Sequence, residues 1–239
     1  MLSIIIPTRQ EELSIESTVK QFETLSMPHE TIVSDDASTD RTVDIARSCA
    51  DIVVTSDTDV KQSPARARNA GAHASHGEIL VFIDATVVIP SPDVFFKRAI
   101  DQFARDPHLV ALTGPQRAHP SIETWSDRVS FGIFNLIIRI QNNLLHKGEA
   151  SGKIMIVRHS AFDQVSGLRE DLITREDGDF FLRLSQIGRT RFDPKLMIYH
   201  SARRAHAIGW GHLWWIWITN VIALAFLHKP VADDWTPVR

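Results

Sequence analysis

Short apolar runs alternate with amphipathic stretches through the first ninety residues. Leu2–Pro7 is apolar and halted by proline, the pattern of a buried strand. Ile15, Val19, Phe22 and Leu25 share one face of a helix predicted over Glu16–Leu25. Thr31–Val33 is a second strand, and the helix holding Val43, Ile45 and Ala46 has Ser38 or Thr39 as candidate caps. Ile52–Val54 makes a third strand. Pro64–Ser75 is Ala- and Arg-rich and helical, Gly77 ends it, and Ile79–Ile83 is the most apolar strand of the chain. Strand alternating with helix four times predicts an α/β domain with a parallel sheet. Ligands of such sheets bind beyond the carboxyl ends of the strands. Those ends carry Thr8-Arg9-Gln10-Glu11, Asp35-Asp36 and Asp84-Ala85-Thr86, three polar clusters converging on one edge.

The second half changes character. A helix is expected over Val94–Phe103, and strands over Val110–Gly114, Ile154–Val157 and Leu196–Tyr199. Another helix is expected from Phe180, after an acidic run. Phe131–Leu145 is strongly amphipathic, with Asn135, Arg139, Asn142 and His146 on one stripe. From Gly209 to Leu227 no residue carries a formal charge, a length of about 19 residues that approaches a bilayer span. Trp210, Trp214, Trp215 and Trp217 open that run, and Arg203 and Arg204 precede it. The pattern divides the chain into a domain over 1–204, with halves 1–90 and 91–204, and a Trp-rich tail over 205–239. The tail has two readings: a helix packed on the domain's own surface, or one embedded in or lying on a membrane.

Composition narrows the class. With 239 residues, 44% hydrophobic and 23% charged, the chain has a full core and is not disordered. A formal net charge of −3 argues against a nucleic-acid binder working through its overall field. A single cysteine, Cys49, excludes a disulfide framework and a Cys-rich metal site, and fits a reducing compartment. Mean hydropathy is −0.08, so the tryptophan cluster is a local anomaly in an ordinary chain.

Four features carry candidate chemistry, each beside a blander reading. Asp35-Asp36 is either a helix cap or a ligand-facing pair. Asp84 ends a buried strand, where a carboxylate is costly unless paired, hydrogen-bonded or bound to a cation. Arg66 and Arg68 suit it as structural partners, or they hold a phosphorylated ligand. Glu176-Asp177-Gly178-Asp179 is either a solvated acidic first turn or a general base at a helix N-terminus. His200 ends a strand just before Arg203 and Arg204, as a hydrogen-bonded histidine, a metal ligand or part of a phosphate site.

In this order the motifs resemble the family 2 glycosyltransferases of the GT-A fold. The match runs through Ser3-Ile4-Ile5-Ile6-Pro7-Thr8, Val33-Ser34-Asp35-Asp36-Ala37-Ser38-Thr39-Asp40 and Ala65-Arg66-Ala67-Arg68-Asn69-Ala70-Gly71. It continues through Gly77–Ala85, Phe162–Leu168, Glu176–Asp179 and Tyr199-His200-Ser201, over roughly residues 3 to 204. The resemblance implies inverting transfer of a sugar from a nucleotide-sugar donor to an acceptor hydroxyl. It places Pro7, Thr8, Glu11, Asp36, Arg68 and Asp84 in the nucleotide pocket and Asp177 as general base, with Glu176 and Gly152 on the acceptor side. The charge of the diphosphate has two candidate partners: a divalent cation, Mg²⁺ or Mn²⁺, on Asp84, His200 and phosphate oxygens, or Arg203 and Arg204 in its place.

Two departures bear on those expectations. The family usually has Asp-x-Asp where this chain has Asp84-Ala85-Thr86, and a threonine hydroxyl is a far weaker metal ligand than a carboxylate. Arg9-Gln10 stands where an aromatic residue and asparagine are common. A nucleotidylyltransferase would want a Gly-rich loop after the first strand, which Pro7–Glu11 lacks. A silent nucleotide-sugar binding module is the other alternative, motivated by Thr86. The expected site of action is the cytoplasmic face of a membrane, with an acceptor that a lipid carries.

Overall fold

The computed structural model describes residues 1–56, 63–172 and 174–215. In chain order it holds β1 (Leu2–Thr8), α1 (Ile15–Lys20), β2 (His29–Asp35), α2 (Thr42–Cys49), β3 (Ile52–Thr55), α3 (Pro64–His73) and β4 (Ile79–Ile83). Then come α4 (Pro92–Arg105), β5 (Leu109–Thr113), β6 (Gln116–Ala118), α5 (Trp125–Asn143), β7 (Ile154–Arg158) and α6 (His159–Gln164). The last are α7 (Glu176–Ile187), β8 (Arg189–Phe192), β9 (Ile198–His200) and α8 (Arg203–Ile208).

The main sheet has seven strands in the order β3-β2-β1-β4-β7-β5-β8, and β6 pairs with β9 beside it. β1 lies between β2 and β4, all parallel, so successive connections leave β1 in opposite directions. That reversal opens a crevice at the carboxyl ends of β1, β2 and β4. Apolar side chains fill both sides of the sheet. Ile4, Ile6, Val33, Val81 and Ile83 pack with α1 and α4 residues on one face, and Ile5, Ile32, Leu80 and Phe82 pack with Ala65, Phe162 and Phe180 on the other. α3 crosses β1 so closely that a Cβ on Gly71 would lie 2.5 Å from Ile5 Cγ2, which explains a glycine inside that helix.

The expected elements are present among the described residues, but α1 stops at Lys20, short of the expected Leu25, β6, α6, β8 and α8 come in addition, and other differences follow. The sheet is mixed: β7 runs antiparallel to both β4 and β5. α2 begins at Thr42, later than the Ser38 or Thr39 cap implied, because Ser38 is bound to Asp35 and the backbone N–H of Thr42 donates to Asp40 at 3.0 Å. α7 begins at Glu176, which makes the acidic cluster its first turn. α5 begins at Trp125, behind a capping box formed by Thr124 and Asp127.

The polar stripe of α5 turns inward. Asn135 clasps the backbone of Gln116, Asn142 that of Glu149 and Asn143 that of Phe192. Arg139 and His146 stay exposed. Trp125, Val129, Ile133, Leu136, Ile137, Ile140 and Leu144 are exposed along the same helix. The tail begins against α5: Trp210 Nε1–H donates to Asp127 at 2.7 Å, and Trp214 Nε1–H to Ser130 at 3.2 Å. No helix of the described residues is long and apolar enough to cross a membrane. Residues 216–239, which hold most of the uncharged run, lie outside the described residues.

Candidate active site

The residues singled out in the sequence gather along the crevice. At the end of β1 the Thr8 hydroxyl donates to Asp35 at 3.0 Å. Asp35 in turn accepts from the Ser38 backbone at 2.7 Å, so it fixes the turn after β2 and is structural. Asp36 is different. It is buried, and its Oδ1 meets no hydrogen-bond partner among the described residues. Burial pushes its carboxyl above the usual range, against the pull of Arg66 and Arg9. An unsatisfied buried acceptor at a strand's carboxyl end is suited to an N–H of a ligand.

Arg68 organises the centre. It projects from α3, only 4% exposed, and donates to Glu176 at 2.9 Å, to Asp84 at 3.3 Å and to the carbonyl of Gly152 at 3.3 Å. One side chain therefore ties together the end of β4, the loop before β7 and the start of α7. Burial opposes its charge, but Glu176, Asp84 and Asp177 outweigh that and hold it cationic. Asp84 also accepts from the Lys153 ammonium. Burial alone would raise the Asp84 carboxyl, yet the two cations hold it below the ordinary range.

Asp177 stands in the first turn of α7, where Arg68 pulls its carboxyl down but does not prevail. Burial, then Glu176 and Glu149, push its carboxyl up to about 7. A carboxylate poised there is matched to accepting a proton near neutrality. Gly152 makes the approach possible: its φ is +68°, and a Cβ there would lie 2.8 Å from Asp177 Oδ2. Glu149 is itself mostly buried and pushed up, held by Arg175 at 3.1 Å.

Two expected roles change. Arg203 forks both arms of its guanidinium onto Glu11, so Glu11 and Arg203 form an ion pair that fastens α8 to the loop after β1. Arg204 is half-buried, and burial with Arg203 beside it lowers its affinity for a proton. The ring of His200 bears on its expected pairing with Asp84 around a metal. The Ala202 backbone N–H donates to His200 Nδ1 at 3.1 Å. A ring nitrogen that accepts has no proton, so in the neutral imidazole the proton is on Nε2. Burial first, then Lys153, keeps the ring neutral, with its pKa lowered to about 3. Nε2 thus offers an N–H and no lone pair for a metal. Among the described residues no three His, Cys, Asp or Glu side chains form a group able to hold one.

Glu149, Lys153 and Asp127 were not legible as site or anchoring residues. Asp127 is fully buried near the tail, where it accepts from Thr124, His206 at 2.8 Å and Trp210; these bonds outweigh burial and take its carboxyl down to about 2. Lys153 and Glu149 lie in an irregular loop with no periodicity. The available signals were that this loop connects the amphipathic helix to a core strand and that Gly152, placed on the acceptor side, lies within it.

Known proteins carry the same architecture. A mannosyltransferase from Pyrobaculum calidifontis, solved in complex with GDP-Man and Mn²⁺, superposes with a TM-score of 0.72 at 20% identity, covering 99% of this chain and 65% of that one. Glucosyl-3-phosphoglycerate synthase from Mycobacterium tuberculosis, solved with Mg²⁺ and UDP, superposes with a TM-score of 0.64 at 19% identity, covering 97% and 81%. An uncharacterized glycosyltransferase of Haemophilus influenzae is 25% identical over 191 residues, which is 78% of this chain and 62% of that protein. The fold is thus the α/β GT-A fold, and the chain spans about three fifths of that curated relative's length. The family model described as "Glycosyl transferase family 2" matches residues 3–166, from β1 through β7 to the end of α6, and the chain belongs to that family.

Proposed function

We propose that the chain is an inverting glycosyltransferase that moves a sugar from a nucleotide-sugar donor to an acceptor hydroxyl. The observation that carries this reading is Asp177, a half-buried carboxyl pushed up to about 7, set beside Gly152 and Arg68 at the crevice of the sheet's switch point. In a single displacement the acceptor oxygen attacks the anomeric carbon and its proton passes to Asp177. The bond from that carbon to the leaving diphosphate breaks as the new one forms, on the opposite face of the sugar. Asp36 supplies a carboxylate oxygen for an N–H of the base, and the end of β1 with Pro7 and Thr8 forms the floor. The UDP and GDP-Man complexes of similarly folded proteins support a nucleotide-sugar donor.

The domain acts, in this reading, at the cytoplasmic face of a membrane on an acceptor that the membrane carries. The outward apolar face of α5 and the uncharged run Gly209–Leu227 behind Arg203 and Arg204 support that placement. Membranes containing the protein, given a panel of nucleotide sugars and lipid acceptors, test the reaction. Product should form with the full chain and fall by more than about 100-fold in Asp177→Asn. Turnover that survives Asp177→Asn removes the proposed base. Tight donor binding with no turnover on any acceptor favours the silent binding module.

A further inference from the structure

We infer that the leaving diphosphate at this site is stabilised by the Lys153 ammonium and the Nε2–H of His200 in place of a divalent cation. The inference rests on the donor reading above and assigns the charge that reading requires. Negative charge gathers on the diphosphate as the sugar leaves, so something cationic or hydrogen-donating must face it.

The residues around Asp84 do not fit a metal. Its Oδ1 accepts from Arg68 at 3.3 Å and its Oδ2 accepts from Lys153, so both oxygens already face cations. A divalent ion there would lie against two positive side chains and would have to displace one. Thr86 offers a neutral hydroxyl where a second carboxylate would be needed. His200 has the wrong tautomer, because the Ala202 N–H occupies Nδ1 and leaves the proton on Nε2.

The same atoms do fit an anion. His200 Nε2 is buried and meets no protein acceptor, an unsatisfied donor close enough to Asp84 for the two to interact electrostatically. Lys153 carries three donor hydrogens, of which Asp84 takes one, and its side chain remains one-third exposed at the end of β4. Asp84 then acts as a positioning residue, holding the ammonium at the strand end where the diphosphate arrives. The candidate from the tail, Arg203, is already paired with Glu11.

Calorimetric titration of the full chain with UDP, GDP, ADP and dTDP tests this, each in EDTA and in Mn²⁺. The inference predicts that at least one diphosphate binds, with an affinity in EDTA within about 2-fold of that in Mn²⁺. It predicts that Lys153→Ala weakens binding by more than about 10-fold, that Lys153→Arg retains most of it, and that His200→Phe weakens it to a smaller extent. The wild-type comparison stands even if a variant misfolds. Binding that vanishes in EDTA and returns with Mn²⁺ overturns the inference and leaves the glycosyltransferase reading intact. Binding of no diphosphate under either condition defeats both.

Discussion

Asp177 shows how the site trades stability for chemistry. Its carboxyl is near 3.8 in an unfolded chain and about 7 in the fold. Between those values the native state holds a proton that the unfolded state has released, so stability falls as pH rises through the window. Asp177→Asn removes a charge that burial disfavours. Its melting temperature should exceed wild type at about pH 8 and converge with it as pH drops toward 4, while activity is lost. Thermal melts across that range check the sign, and a variant less stable at high pH contradicts it. The same ionisation predicts that kcat/KM of wild type climbs with pH to a plateau, with a midpoint near 7. Gly152→Ala should reduce turnover more than about 10-fold, since a Cβ would meet Asp177 Oδ2 at 2.8 Å on a backbone with φ of +68°. Asp36, Asp84 and Asp177 were legible from sequence because strand ends and a helix start gave them addresses, and Arg68 because it sits in an Ala- and Arg-rich helix before the most apolar strand. Lys153 and Glu149 were not, because loop residues have no period to place them.

The element that does most to assemble the second half is α5. Three asparagines on it substitute for backbone partners, and the one at 142 clasps Glu149 through both its amide N–H, at 2.7 Å, and its oxygen. That clasp sets the loop from which Glu149, Gly152 and Lys153 reach the crevice. The amphipathic pattern revealed the helix but not which stripe faces inward. Pattern alone suggests that apolar residues are buried, and here the loops needed hydrogen-bonding partners more than they needed a greasy wall. Asp127, at the other end, closes the capping box and receives His206 and Trp210. Asp127→Ala should cost about 2–4 kcal/mol, combining a lost cap with unsatisfied buried partners. It should also expose the chain after Ala202 to protease before the rest of the domain. Denaturant titration and timed proteolysis read the two effects separately. An unchanged midpoint would show that the tail is held by other contacts.

At the scale of the whole molecule, local pattern foretold the strand and helix order of the first ninety residues but not the short β6, α6, β8 and α8, nor the reversal of β7, since a buried strand reads the same in either direction. Placing β7 antiparallel between β4 and β5 lets the loop before it arrive at the carboxyl end of β4, where Lys153 meets Asp84. The mixed sheet is therefore what joins the two halves of the site. The unsettled surface is the outer face of α5, where Trp125 is 78% exposed and Leu144 71%. A row of large apolar side chains this long is costly in water, which is the ground for testing it as a docking face. If it lies on a membrane, the full chain should float with anionic liposomes, and Leu136→Glu with Ile140→Glu should release it. Both side chains are exposed, and neither is a partner in the hydrogen bonds described for Asp177 or Lys153, so nucleoside diphosphate binding should persist in the released protein. Flotation unchanged by the pair would place membrane contact elsewhere on the chain. A shift from dimer to monomer without any flotation would assign this face to a second copy.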